Sequence, residues 1–312
     1  MRAVGVNSYG GPEALEIVHV PSQDAGPGEV RLRICAAAVN PTDTLARNGS
    51  RAEAQKIDPP PYVPGMDAAG IVDQVGTNVT TGIKVGDNAM AMIVPRGSRG
   101  AYRESLVLKA EQVVPSPKGF THAEVSTLPM NGLTAMLSLE LLGLTSGQTL
   151  AVTGGAGAYG GYMIELGKAA GLTIISDASE EDSALVKKLG ADIIVARGDD
   201  YALKVRKHFP GGVDGLADGA VLNQLVIDAV KDHGAFTSIR GYQPSDIRGI
   251  NFTATYVTKY EGNYGKLDSL RQHAESGAVT LRVADTYPAE QASEAHSRLE
   301  AGGTRGRCVI TF

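Results

Sequence analysis

Gly155, Gly157 and Gly160 stand at the spacing G-x-G-x-x-G within Leu150-Ala-Val-Thr-Gly-Gly-Ala-Gly-Ala-Tyr-Gly-Gly161. An apolar run, Thr149–Thr153, precedes them, and a helical pattern carrying Met163, Ile164, Leu166, Gly167 and Ala170 follows. In that context the glycines suit the pyrophosphate of a dinucleotide. One makes the tight turn, one lets the backbone approach the diphosphate, and one lets the helix pack on the strand. Amides at the helix N-terminus then meet the anion. Ala158 and Tyr159 lie inside this loop, where the Tyr159 amide can touch the pyrophosphate and its ring can fill space near a substrate.

The end of the next strand selects the ribose partner. Asp177 follows Gly155 by 22 positions, about where an acid holds a 2′-hydroxyl and favours NAD. Ser179 can instead hydrogen-bond a 2′-phosphate, and Arg197, after the third strand, can supply the positive charge an NADP site wants. Asp177 as a helix-capping acid is the plainer alternative. Lys187 and Lys188 read as solvated. Other chemistries lack their residues. The six histidines are scattered and read as surface or capping groups, no G-x-S-x-G elbow occurs, and Cys35 and Cys308 are too isolated for a thiolate zinc site.

The elements that must carry the loop follow from periodicity. Ala3–Val6, Leu15–His19, Glu29–Ala38, Gly65–Val75 and Ser105–Val113 read as strands, with Asp58-Pro-Pro-Pro-Tyr62 as a rigid loop. Thr121–Leu142 has helical spacing, with Pro129 and Gly132 as breaks. Beyond it strands (149–153, 173–176, 191–195, 214–217, 235–239) alternate with helical segments (161–170, 180–189, 201–209, 222–231), which means βαβ units and a parallel sheet. Helices at Lys266–Ser276 and Ala289–Ala301 and a strand at Arg307–Phe312 make a tail too small to be a domain. The expected layout is therefore a β-rich domain, residues 1–120 plus 256–312, into which a nucleotide domain, residues 121–255, is inserted, with a cleft between them.

Composition narrows the class. With 34 acidic against 29 basic residues the net charge is −5, which argues against a nucleic-acid footprint. Apolar residues at 43% supply a core and exclude wholesale disorder. No apolar stretch approaches the ~18 residues that span a bilayer, and Met1–Gly11 has no apolar signal core. A cytoplasmic protein with no membrane partner is expected.

Several segments, in order, resemble the medium-chain dehydrogenase/reductase superfamily, and within it the zinc-free quinone oxidoreductases related to zeta-crystallin. They are Met1–Val4 with Gly10-Gly-Pro-Glu13, Val39-Asn-Pro-Thr-Asp43, Val63-Pro-Gly-Met-Asp-Ala-Ala-Gly70, Val85-Gly-Asp87, Leu128-Pro129 with Gly132-Leu-Thr-Ala135, Glu294-Ala-His296 and Gly306–Val309. The resemblance covers nearly the whole chain. It implies an α/β fold in which a Rossmann doubly wound parallel sheet is inserted in a discontinuous GroES-like β-rich domain. It implies NADPH-dependent reduction of a quinone, enone or other activated carbonyl, with NADP(H) favoured and NAD(H) possible. It also implies a homodimer through an edge strand of the nucleotide domain. Zinc-dependent relatives carry a cysteine where this chain has Asn40 and a histidine where it has Met66, so no zinc is expected. Two departures stand out: Leu45 replaces a tyrosine, and acidic neighbours replace a lysine near Ser183.

Hydride transfer needs the nicotinamide C4 and an electrophilic carbon held together, with help for charge on the substrate oxygen. Asn40 is expected to donate to the substrate oxygen or the nicotinamide amide. Asp43 orders that loop or relays a proton, and Tyr62 lines the cleft with its hydroxyl. By the resemblance, Thr134 lies near the cofactor phosphate and ribose. Ser238 and Ile239, at the carboxyl edge of a later strand, fall where the sheet meets nicotinamide. A non-enzymatic dinucleotide-binding protein, sensor or crystallin-like, is the alternative.

Overall fold

The computed structural model describes residues 1–55 and 58–312. Strands β1 (Arg2–Gly5) and β2 (Glu16–His19) form an antiparallel pair. Then come β3 (Glu29–Ala38), α1 (Pro41–Arg47), α2 (Ala52–Gln55), β4 (Asp67–Val75), β5 (Asn88–Met92), β6 (Ser105–Lys109), β7 (Val113–Pro115) and α3 (His122–Ser126). The second stretch runs α4 (Pro129–Leu142), β8 (Thr149–Thr153), α5 (Ala158–Ala169), β9 (Thr173–Ala178), α6 (Ser183–Lys188), β10 (Ile193–Ala196), α7 (Tyr201–His208), β11 (Val213–Asp218), β12 (Val230–Ser238) and β13 (Asn251–Ala254). The chain ends with α8 (Tyr264–Glu275), β14 (Val283–Pro288), α9 (Ala292–Glu300) and β15 (Arg307–Thr311).

Two compact units result. One comprises residues 1–130, 260–275 and 281–312, the other 131–259 and 276–280. In the first, a seven-stranded sheet runs β14-β15-β3-β4-β5-β7, with β6 also paired to β3. β3 is long enough to serve β4, β6 and β15, and its register shifts at Arg31/Leu32 and Ile34/Ala36 against β4 bend it between them. Val30, Leu32 and Ile34 alternate into a core with Val72, Ala89, Leu106, Leu108 and Ile310. The tail thus returns to the β-rich unit through β15, as its length required.

The second unit is a six-stranded sheet of order β10-β9-β8-β11-β12-β13, with every pairing parallel. This is the doubly wound order, reversing direction beside β8, which is where such sheets place ligands. The chain therefore has the expected α/β class, a parallel dinucleotide-type sheet whose sequence interrupts a β-rich unit. Tyr201, Val205, Leu216, Val226 and Phe236 form part of its core. Phe236 makes aromatic contacts with Phe252 (centroids 5.3 Å) and Tyr242 (6.1 Å).

Ser105–Val113, read as one strand, is two, with a 3₁₀ turn at Ala110–Gln112 between them, and two helical expectations also change. Leu222–Lys231 is not an α-helix: Asn223–Ala229 forms a 3₁₀ helix and β12 begins at Val230. Val221 and Asn223 take positive φ, and Asp218 accepts the N–H groups of Leu222 and Asn223, which holds a tight turn where a helix would start. Gly132 does not break α4, because a helix buried along most of its length draws its stability from packing rather than propensity. The break falls before Pro129, which opens α4.

Phe236→Ala should lower the stability of the parallel-sheet unit by about 3–5 kcal/mol, from lost burial plus the cavity left between Phe252 and Tyr242. Denaturant unfolding followed by circular dichroism checks it, and a loss under about 1 kcal/mol would contradict the core assignment.

Candidate functional site

The glycine turn is shaped by what cannot fit. Gly154 has φ +72°. A Cβ on Gly155 would overlap the Ser176 hydroxyl, and one on Gly160 would overlap the Gly154 carbonyl. Gly157 closes the turn by donating its N–H to Gly154 O (2.9 Å) and begins α5 as an extended N-cap accepting from Gly161 N–H (2.9 Å). Ala158, Tyr159 and Gly160 are the first helical residues, whose N–H groups have no acceptor within the helix. Backbone donors at a helix start, reached without side-chain bulk, are what a diphosphate needs. The loop fits a dinucleotide on its own geometry.

Asp177 braces this turn from β9. Its Oδ1 accepts the N–H groups of Gly154 (2.6 Å) and Gly155 (3.3 Å), and its Oδ2 accepts from Arg197 Nε (3.3 Å). Ser179 donates to Asp182 Oδ2 (2.8 Å) and accepts the Asp182 N–H (3.3 Å). The sequence-nominated ribose residues are therefore together, and Asp177 is tied to the loop rather than to a helix cap. Tyr159 behaves differently from expectation. Its ring is buried, packs where a Gly219 Cβ would stand, and donates its hydroxyl to Ser138 Oγ (2.8 Å). Ser138 in turn bonds Thr255 Oγ1 (2.9 Å), which bonds Thr237 Oγ1 (2.9 Å). Burial holds the Tyr159 phenol protonated, its pKa raised well above the ordinary value. The ring is a packing element of its own unit. Ser238 ends β12, accepts the Arg240 N–H (3.2 Å), and is followed by the half-buried Ile239. Thr134 lies in α4, buried.

In the β-rich unit, Asn40 and Asp43 cap α1 reciprocally, with Asn40 N–H on Asp43 Oδ2 (2.8 Å). The Asn40 amide donates to Asp67 Oδ2 (2.6 Å) and to Ala38 O (3.5 Å). Its donor hydrogens thus turn inward, contrary to the expectation that they meet a substrate oxygen. Asp67 Oδ1 takes the Met130 N–H (2.6 Å). Asp43 Oδ1 takes the Gly65 N–H (3.2 Å), and its Oδ2 also takes the Tyr102 hydroxyl (3.2 Å). Tyr62 is half-buried and stacks on Tyr9 at 5.1 Å, with rings 7° from parallel. Burial, then a hydrogen bond with Tyr62, pushes the Tyr9 phenol up to about 12.

Four groups escaped the sequence reading. Asp67 lay in a recognised stretch without being assigned a role. Asp182 stood among the acidic neighbours of Ser183 without being assigned a role. Tyr102 carried no signal. His296, read as surface, is buried between Arg47 Nη1 (Nδ1 side, 3.3 Å) and the Tyr102 hydroxyl (Nε2 side, 3.3 Å). Arg47 reaches on to Glu300 (2.6 Å). An arginine can only donate, so His296 Nδ1 accepts and Nε2 carries the hydrogen. Burial, then the Arg47 charge, lowers the His296 pKa to about 3, so the ring stays neutral.

The donor chemistry does not fit zinc. Asn40 offers an amide and Met66 a thioether, which accepts from Thr42 Oγ1 (3.2 Å). Among the described residues no three His, Cys, Asp or Glu side chains converge on one point.

Burial raises Asp67 to about 7 and Asp43 to about 6, against the lowering effect of their N–H donors. A carboxyl group whose pKa rises on folding favours the fold below its unfolded pKa, and that contribution is lost as pH climbs through the folded value. These two groups therefore make stability fall between about pH 4 and 7. Asp67→Asn should flatten that decline, by on the order of 2 kcal/mol. Thermal melts across pH 5–8 give the slope, and a slope equal to the native one would contradict the raised pKa.

Comparison with known proteins places these features. Residues 26–118 match the alcohol dehydrogenase GroES-like domain, and residues 189–310 match the zinc-binding dehydrogenase family model. A quinone oxidoreductase of Pseudomonas aeruginosa is 29% identical over 97% of both chains. An NADPH-dependent alkenal/one oxidoreductase of Arabidopsis thaliana is 27% identical over 99% of this chain and 79% of its own length. A solved NAD-dependent alcohol dehydrogenase superposes with TM-score 0.90 at 28% identity, over the whole of both chains. With a glycine turn of this shape, the doubly wound strand order and these likenesses along its length, the chain is a member of the medium-chain dehydrogenase/reductase superfamily, and so an oxidoreductase of dinucleotide-binding type.

Proposed function

We propose that this chain transfers hydride from a reduced nicotinamide dinucleotide to a small electrophile, a quinone, enone or other activated carbonyl, without a metal. The observation that carries it is the glycine turn: Gly155 and Gly160 tolerate no side chain, and the turn delivers the first amides of α5 to an anion. The quinone and alkenal/one relatives supply the substrate class.

A bound nicotinamide supplies the hydride; the residues supply place and charge. The amides of Ala158, Tyr159 and Gly160 hold the diphosphate. Thr134, Ser238 and Ile239 are proposed to line the remainder of the coenzyme site. Asn40, locked by Asp67 and Asp43, fixes the local backbone ahead of α1 rather than offering a proton. The half-exposed Tyr62 hydroxyl is then the candidate donor to the substrate oxygen, with Tyr9 stacked behind it. Apolar Leu45 on α1 leaves no hydroxyl at that position.

Among the described residues no helix is long and apolar enough to cross a membrane. A cytoplasmic homodimer joined along the sheet edge at β13 completes the proposal. β13 ends the parallel sheet, and an unpaired strand edge is a template for a second one.

The test is titration with reduced nicotinamide dinucleotides, followed by turnover against a panel of quinones and enones. Binding with turnover is expected. Binding without turnover would support the sensor or crystallin-like alternative, and no binding would defeat both. Gly157→Ala, whose Cβ would meet the Gly154 carbonyl at 3.2 Å, should weaken coenzyme binding ~10-fold or more while the circular dichroism spectrum is kept. Tyr62→Phe should lower kcat by ~10²-fold with little change in coenzyme affinity, measured by steady-state kinetics. Light scattering giving one chain's mass would remove the dimer.

A further inference from the structure

We infer that Asp182 makes this chain select NADH over NADPH, by occupying both groups that would otherwise recognise a 2′-phosphate. The inference rests on the proposed coenzyme site. It concerns which of the two dinucleotides that site accepts, and it reverses the sequence expectation that favoured NADP(H).

A 2′-phosphate needs a cation and hydroxyl or amide donors aimed outward. Beyond the end of β9 this chain has two such groups, Arg197 and Ser179. Ser179 spends its hydroxyl hydrogen on Asp182 Oδ2 at 2.8 Å, and its oxygen takes the Asp182 N–H at 3.3 Å. Arg197 is held twice. Its Nε meets Asp177 Oδ2 at 3.3 Å, and its Nη2 lies 3.7 Å from the same Asp182 oxygen that Ser179 bonds. Its backbone N–H is fixed to Ala178 O (3.1 Å), so the arginine stands over the end of β9 by construction.

Exposure gives the sense of the arrangement. The Asp177 and Asp182 side chains are 2% and 5% exposed, and the Arg197 side chain is 52% exposed. The guanidinium is a half-open cover on two buried carboxylates. Their formal sum with it is −1. Glu180 and Glu181 on one flanking loop and Asp199 and Asp200 on the other add only negative charge. Lys204, nearby in α7, is committed to Asp200 (2.6 Å) and Ala196 O (2.9 Å).

A dianionic phosphate therefore meets a cation already neutralised. To bind it, Arg197 must share its single charge between the phosphate and two buried carboxylates, so the phosphate gains little from it. A ribose 2′,3′-diol is neutral and asks for no such release. It can take an outward N–H of Arg197 while the guanidinium keeps its acids. Asp177 cannot be the free variable, because it also braces the glycine turn. Asp182 can, since its side chain engages both Ser179 and Arg197.

Fluorescence titration of the full chain with NADH and NADPH, read from the reduced nicotinamide, tests this. The native chain should bind NADH ~10-fold or more tighter than NADPH. Asp182→Asn should raise NADPH affinity ~10-fold and leave NADH within about 3-fold, because Arg197 regains its charge and Ser179 its donor. The double variant Asp182→Asn with Arg197→Ala should lose that gain, which a general loosening of the loop would not do. NADPH preference in the native chain overturns the inference and leaves the proposed function standing, as does an unchanged ratio in Asp182→Asn with a native melting temperature. If Asp182→Asn does not fold, Asp182→Ser and the native ratio carry the same decision. Binding of neither dinucleotide overturns the inference together with the reading of the glycine turn.

Discussion

Backbone meets backbone at the switch point of the parallel sheet, and everything proposed for the second unit depends on that contact. At Gly160 the first turn of α5 runs against the Gly154 carbonyl, and at Gly155 the chain runs against the Ser176 hydroxyl of β9. No other residue type leaves room. The closeness aims several amides outward in one place, and it also demands a counterweight. Asp177 provides it by accepting two of the turn's own N–H groups from below. The same carboxylate then anchors Arg197, so the shape of the phosphate side and the charge of the ribose side are set by one residue.

The β-rich unit solves a different problem, keeping two carboxylates in a place without water. Asp43 and Asp67 flank Asn40 and are satisfied almost entirely by N–H and O–H donors rather than by cations in direct contact. That choice fixes orientation more than charge. Each donor accepts only one placement of the oxygen, and α1 inherits its start from the pair. Tyr102, His296 and Arg47 extend the scheme outward to Glu300, a chain whose order is dictated by which atoms can only donate.

How much of this the residues announced depends on the range of the physics. The fold class was legible because it rests on local periodicities: a period of two in Glu29–Ala38, alternating strands and helices after Thr149, and a glycine spacing that few other structures need. Asp177, counted from Gly155, and Ser179 and Arg197, taken from the ends of the strands, were legible as candidates, and the structure brings the three together. Their hydrogen bonds were not, because Asp182 differs from its exposed neighbours Glu180 and Glu181 only in where the backbone aims it. His296 was missed because a histidine on an amphipathic helix gives no sign that Arg47 and Tyr102, 249 and 194 positions away, close around it. Asn40 was legible as important and misread in direction, since an amide in a sequence has no front or back.

The line of four hydroxyls from Tyr159 through Ser138 and Thr255 to Thr237 has a consequence for inheritance. Three hydrogen bonds join the four oxygens, beginning with the Tyr159 hydroxyl donating to Ser138, and all four side chains are buried. Replacing Ser138 by alanine would take from the buried Tyr159 hydroxyl its acceptor, and replacing Thr255 by valine would take from Thr237 its partner in the line, so single changes are penalised where joint ones are not. Descendants of this chain should therefore keep the quartet intact or exchange it wholesale for hydrocarbon, and a lineage caught halfway would reveal itself by a poorly packed α5 rather than by altered chemistry.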